Sequence, residues 1–199
     1  MKGLNKVALG LWAAVAVVGL GAVSWVWVLE PRLNQSVASV LGRGDYELVT
    51  TDGSVFTEAT LKGSPSAVFF GFTHCPEVCP TTLGDIAVWQ DILQEEGQDP
   101  LRTYFVTVDP KRDTPEMLAD YVSWAPGVIG VSGSQEEIDK AIRAFRIYAR
   151  EVPLDNGGYT MDHSAMVLLF DENGNLFEPI GYQEGTERAI SKIRRLLNS

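Results

Sequence analysis

The chain is short of the side chains that carry most metal and redox chemistry. Its 199 residues include two cysteines and two histidines. A closed zinc site of three or four cysteines is therefore excluded, as is a framework of several disulfides. Positive charge is scarce as well, with 16 Lys and Arg against 26 Asp and Glu and a net charge of −10. That balance excludes the broad basic surface nucleic acid requires, and it suits a soluble domain whose partner or cargo is cationic. There is no internal repeat and no low-complexity tract. Charge of either sign is missing altogether between Lys6 and Glu30.

That uncharged run, residues 7–29, would be about 34 Å long as a helix, enough to cross a bilayer. Trp25 and Trp27 fall at its far end, where indole rings favour the headgroup level, and Lys2 and Lys6 precede it. The expectation is a membrane anchor over residues 1–29 with the amino terminus in the cytoplasm. The rest is then exported: a single-pass protein of the cell inner membrane with its carboxyl-terminal domain in the periplasm. The competing reading is a signal peptide cleaved near Ala22-Val23-Ser24. In both readings the remainder faces an oxidising compartment. Residues 30–44, with Pro31, Asn34 and two glycines, read as a linker, and a domain spans 45–199.

The stretch around which that domain is organised is Ser66 to Thr82. Ala67 to Phe72 is a short run of apolar, β-branched and aromatic residues, the pattern of a strand buried on both faces. Cys75-Pro76-Glu77-Val78-Cys79-Pro80 ends it. Proline suits a first helical turn, which puts Cys79 near the start of a helix running to about Glu96. A helix start carries partial positive charge and unpaired N–H groups, and it lowers a thiol pKa. Two adjacent thiolates repel, so both ionise only around a cation or by oxidation to a disulfide. The plainer alternative is a structural disulfide or a pair of inert buried thiols.

Taken in order, Tyr46 to Thr50 and Asp52-Gly53 predict an opening hairpin. Arg102 to Val108 is a second buried strand, ended by the turn-rich Asp109 to Pro115. Thr114 and Pro115 then start a helix through about Trp124. Val128 to Val131 is a short strand. Ser134 and Glu137 form a capping box for a helix through about Arg150, with a loop over 152–160. Ala165 to Phe170 and Leu176 to Ile180 form a hairpin, and Gly185 to Leu197 a last amphipathic helix. The expected fold class is α/β, a central mixed sheet flanked by helices.

His74 adjoins Cys75, and His163 stands just before a buried strand. In such a fold the loop carrying His163 reaches the cysteine turn, with Asp162 beside it as electrostatic support for the ring. Cys75, Cys79 and His163 make a soft three-ligand set, which selects copper(I) or zinc, with the imidazole also accommodating copper(II). Structural zinc usually closes with a fourth ligand, and there is no third cysteine or obvious partner for that. A typical disulfide exchanger of this class would instead space its cysteines by two residues.

These residues carry a family resemblance. The runs FGFTHCPEVCP (70–80), VTVDPKRDTP (106–115) and YTMDHSA (159–165), with the apolar amino terminus, resemble the Sco/SenC family of membrane-anchored, thioredoxin-like copper chaperones. Glu77 stands where Asp is common. The resemblance implies a thioredoxin-like domain binding copper through Cys75, Cys79 and His163, with Cys75 and Cys79 able to form a redox disulfide. It also implies a role at the binuclear copper centre of cytochrome c oxidase, with subunit II of the oxidase, other periplasmic copper chaperones and thioredoxin-like reductants as partners. The alternative it leaves open is a thiol–disulfide oxidoreductase that reduces the cysteines of the oxidase copper site.

Overall fold

In a computed structural model, the structure describes residues 2–25 and 38–199 except Asn156, with side chains described from residue 11 onward. The chain divides into two units, Met1–Ser39 and Val40–Ser199. In the first, helix α1 (Lys2–Ser24) is 23 residues long. Its described apolar side chains, Leu11, Trp12, Val15 and Leu20 among them, are exposed. Among the described residues no helix is long and apolar enough to cross a membrane. The expected anchor runs onto residues 26–29 and the expected linker spans 30–44; residues 26–37 of these lie outside the described residues.

The second unit is built on three parallel strands, β3 (Ser66–Gly71), β4 (Arg102–Thr107) and β5 (Val128–Ser132). Every residue of β3 is buried, as expected of a strand covered on both faces. Strands β1 (Leu48–Thr50) and β2 (Val55–Phe56) extend the sheet beyond β5. Strands β8 (Val167–Phe170) and β9 (Leu176–Ile180) extend it beyond β3, all antiparallel. The order is β2-β1-β5-β4-β3-β8-β9. With helices on both faces, this is an α/β thioredoxin-like fold.

Aromatic rings mark the two layers of core. On one face Phe69 meets Phe105, and Phe105 meets Tyr121 of helix α3 (Pro115–Val122), each pair 5.6 Å apart between centroids. Helices α2 (Val78–Glu95) and α5 (Thr186–Leu197) pack against each other and cover Ala67, Thr103 and Leu169. On the other face Phe70 lies 5.1 Å from Phe145, and Phe56 lies 4.8 Å from Tyr104. Phe145 caps helix α4 (Gln135–Ala144).

Two local expectations change. The helix predicted through about Arg150 ends at Ala144, because Arg146 turns left-handed (φ 52°) and Ile147 N–H closes back on the Ile142 carbonyl. The residues beyond, with the predicted 152–160 loop, form a separate hairpin of β6 (Ala149–Pro153) and β7 (Tyr159–His163). Its side chains are mostly exposed or half-buried, so it lacks the apolar alternation that would have announced it. The predicted capping box is also half made. The Ser134 hydroxyl accepts from Glu137 N–H, but the Glu137 carboxylate accepts from Glu47 N–H at 2.7 Å, tying α4 to the strand edge instead.

Phe105 is fully buried between Phe69 and Tyr121. Truncation to Ala should cost about 3–5 kcal/mol, read from urea unfolding midpoints at constant slope. A loss below about 1 kcal/mol would mean this layer is not the packed core described.

Candidate metal centre

Strand β3 delivers the chain to the centre of the sheet's carboxyl edge, and Gly71 is the last residue of the strand. A Cβ there would lie 2.8 Å from Cys79 Sγ and 2.7 Å from the Phe105 ring, so the sulfur occupies space that only glycine leaves open. The chain then turns, with Cys75 N–H donating to the Phe72 carbonyl, and enters α2 at Val78. Glu77, the N-cap residue, makes no capping bond with its side chain among the described residues. The N–H of Cys79, in the first turn, donates to Cys75 Sγ at 3.3 Å. A sulfur takes the place that a Ser or Asp oxygen fills at most helix starts.

His163 arrives from the separate hairpin, as the last residue of β7, and its Nε2 lies 3.5 Å from Cys79 Sγ. Its Nδ1 is 3.0 Å from the Ser164 carbonyl, an atom that only accepts. The proton therefore sits on Nδ1, and the Nε2 lone pair faces the sulfur. Phe72 meets the ring edge-on at 5.7 Å and 89°. Asp162, one residue earlier and hence on the opposite side of the strand, is exposed, opposite Arg150. Among the described residues, the potential ligand atoms of Cys75, Cys79 and His163 form one cluster that could hold a metal ion, all within 4.8 Å of one another.

The two thiols are electrostatically unequal. Cys75 is lowered to about 4, first because the Cys79 S–H donates to its sulfur. Burial opposes this, while the N–H groups of Cys79 and Glu77 assist it. Cys79 is raised by the same shared bond, since it keeps the proton, and then by its burial.

The loop between β4 and α3 braces both halves of the site. Asp113 is fully buried and accepts from Thr73 N–H (3.1 Å), Thr73 Oγ1 (2.6 Å) and Thr107 Oγ1 (2.6 Å), fixing the cysteine turn. Asp109 accepts from the Tyr159 hydroxyl at 2.9 Å and pairs with Arg112. The Arg112 guanidinium lies 3.9 Å over the Tyr159 ring and donates to the Tyr159 carbonyl. One loop thus holds the turn with the sulfurs and the hairpin with the imidazole.

The SCO1/SenC family profile matches residues 35–198, most of the chain. The chain belongs to the SCO1/SenC family. It is 31% identical to mitochondrial SCO2 of Saccharomyces cerevisiae over 174 residues, 85% of this chain and 58% of that protein. It is 38% identical to a SCO2-like protein of Rickettsia prowazekii over 134 residues, 66% of this chain and 65% of that one. The chain therefore spans about three-fifths of the length of these curated relatives. Among solved structures it resembles Bradyrhizobium japonicum ScoI with copper bound, at 38% identity and a TM-score of 0.69, over 78% of this chain and 99% of that one.

Within this SCO1/SenC chain, sequence reasoning singled out all three residues of the cluster. It gave no role to Thr73, Asp109, Arg112, Asp113 or Tyr159, which position them. The available signal was two acids and two bases between Asp109 and Asp113, just beyond the carboxyl end of a buried strand, and a tyrosine four residues before His163.

The inequality of the thiols sets a pH profile. A depressed pKa means the Cys75 thiolate survives into acid, so alkylation of the reduced, metal-free protein should stay fast from pH 8 to about 5. It should fall with a midpoint near 4, with Cys79 unmodified. Mass spectrometry of the alkylated peptides checks this. A midpoint at the ordinary value, about 8.5, would refute it.

Proposed function

We propose that the protein is a membrane-anchored copper chaperone. It binds copper through Cys75 Sγ, Cys79 Sγ and His163 Nε2 and delivers it to the binuclear copper centre of cytochrome c oxidase, on subunit II. One observation carries the reading: two sulfurs and an imidazole nitrogen converge within 4.8 Å, and among the described residues no further Cys, His, Asp or Glu joins them. Zinc in structural sites is closed by four ligands, whereas soft thiolates select copper(I) at low coordination. An open position is what a carrier needs, because the acceptor can attack there before the donor lets go. The cation also resolves the electrostatic conflict of the site, since it lets both sulfurs be thiolates at once. Copper in the related ScoI structure supports the assignment.

The apolar amino terminus fits this task. The uncharged run after Lys6, with the exposed apolar side chains of α1, favours an anchor that leaves the domain in the periplasm, where oxidase copper is inserted.

A second reading has its own observation. A thiolate-prone Cys75 beside a protonated, buried Cys79 is the arrangement of an attacking and a resolving thiol, suited to reducing the cysteines of the oxidase copper site. In that role thioredoxin-like reductants would restore the dithiol, and other periplasmic copper chaperones would supply the metal.

His163→Ala separates the two. Both roles need the cysteines, but only the carrier needs an imidazole ligand. The variant should lose stable copper(II) binding and weaken copper(I) binding at least about 10-fold, read by competition with a chelator, and fail in oxidase assembly at limiting copper. Full assembly by the variant would hand the function to the reductase reading.

Topology is tested separately. The full chain should fractionate with membranes, and a periplasm-dependent reporter fused after Ser199 should be active. A soluble mature form beginning near Trp25 would replace the anchor with a cleaved export signal.

A further inference from the structure

Beside the three-donor cluster lies a second group of soft and borderline donors that the function above does not use. An open depression of about 470 Å³ is lined by Thr73, His74, Met117, Asp120 and Tyr121. Met117, Asp120 and Tyr121 fall three and four residues apart on α3 and so share one face of it. Met117 is 43% exposed, and His74, next to Cys75 in the chain, is exposed as well.

The hydrogen bonds of His74 decide which of its nitrogens is available. Thr73 Oγ1 gives its single proton to Asp113, at 2.6 Å. The same oxygen is 3.0 Å from His74 Nδ1 and has only acceptor capacity left, so Nδ1–H donates to it. A buried carboxylate thereby holds the ring, through Thr73, in the tautomer that leaves Nε2 unprotonated. Metal-ligating imidazoles are held in this way by their outer partners. Tyr121 adds an independent sign. It lines the depression, yet its hydroxyl is buried and has no hydrogen-bond partner among the described residues. The Tyr121 ring lies 5.6 Å from the Phe105 ring, which shares with Cys79 Sγ the space over Gly71. Tyr121 therefore lines the depression and stands one ring away from the Cys79 sulfur.

We infer that His74 Nε2 and Met117 Sδ form an entry site for copper(I), with Asp120 supplying negative charge at the rim, from which the ion passes beside Tyr121 to Cys75, Cys79 and His163. This rests on the copper reading above. The step is ligand exchange. The copper–nitrogen and copper–thioether bonds to His74 and Met117 break, and bonds form to Cys75 Sγ, Cys79 Sγ and His163 Nε2. Cys79 releases its proton to water, and the ion stays copper(I), so no electron moves. The direction follows from softness, since two thiolates hold copper(I) more tightly than one imidazole and one thioether.

The test uses the full chain in detergent with copper(I) buffered anaerobically by a colorimetric chelator. With Cys75→Ser and Cys79→Ser together, one copper(I) should bind and shift the Met117 methyl resonance. Adding His74→Ala or Met117→Leu should weaken that binding by about 10-fold or more. Absence of binding, or binding indifferent to both substitutions, overturns the site. With both thiols intact, which guards against a misfolded double variant, Met117→Leu should slow loading of Cys75 and Cys79 about 10-fold in stopped flow. An unchanged loading rate overturns the entry step alone. A natural chain whose thiols take up no copper(I) at all would instead overturn the copper reading on which the step depends.

Discussion

Everything at the carboxyl edge of the sheet depends on how the first turn of α2 is satisfied. A helix start presents N–H groups that need acceptors, and here Cys75 Sγ accepts from Cys79 N–H, while Glu77 provides no cap. That bond assists the negative charge on Cys75, and the S–H of Cys79, which keeps its own proton while donating to the same sulfur, does more. Gly71 gives the second sulfur its room, and Pro80 in the first turn sacrifices an N–H that had no helical partner. The same constraint explains why the pair is poised for a cation. Two sulfurs beside a helix start cannot both be anions without one.

The sheet matters because it sets the distances. β3 and β4 pair in parallel from Ser66 with Arg102 to Gly71 with Thr107, so they end level, and the loops after them meet. Asp113, on the second of these loops, grips Thr73 on the first. Asp109 and Arg112 grip Tyr159 on the hairpin. The imidazole is carried by a two-stranded sheet outside the main one, so its position rests on the Asp109–Arg112–Tyr159 contacts and on the chain passing from Ser164 into β8. A rigid central element thus places the sulfurs, and a lighter outer element brings the nitrogen.

Much of this was readable from the chain. The strand–cysteine–helix order, the helix opened by Thr114 and Pro115, and the last hairpin and helix all follow from patterns whose cause is local: burial on two faces, caps and turns. The nomination of His163 followed as well, because a histidine beside a buried strand in this topology falls near the cysteine turn. What could not be read had non-local causes. The end of α4 is set by a left-handed Arg146, a residue that does not announce such a conformation. The β6–β7 hairpin is largely solvated and has no apolar alternation. Glu137 was committed to Glu47, 90 residues away, rather than to its own cap. The brace through Asp109, Arg112 and Tyr159 joins segments that are neighbours only once the sheet is complete.

The three donors also enter the structure at very different moments of synthesis. Cys79 and His163 are 84 residues apart, and β8, which follows His163, pairs with β3, which precedes the cysteines. A chain made amino end first presents a bare dithiol before its third donor exists. Until β8 has paired with β3, the two sulfurs lack the imidazole that completes the three-donor cluster.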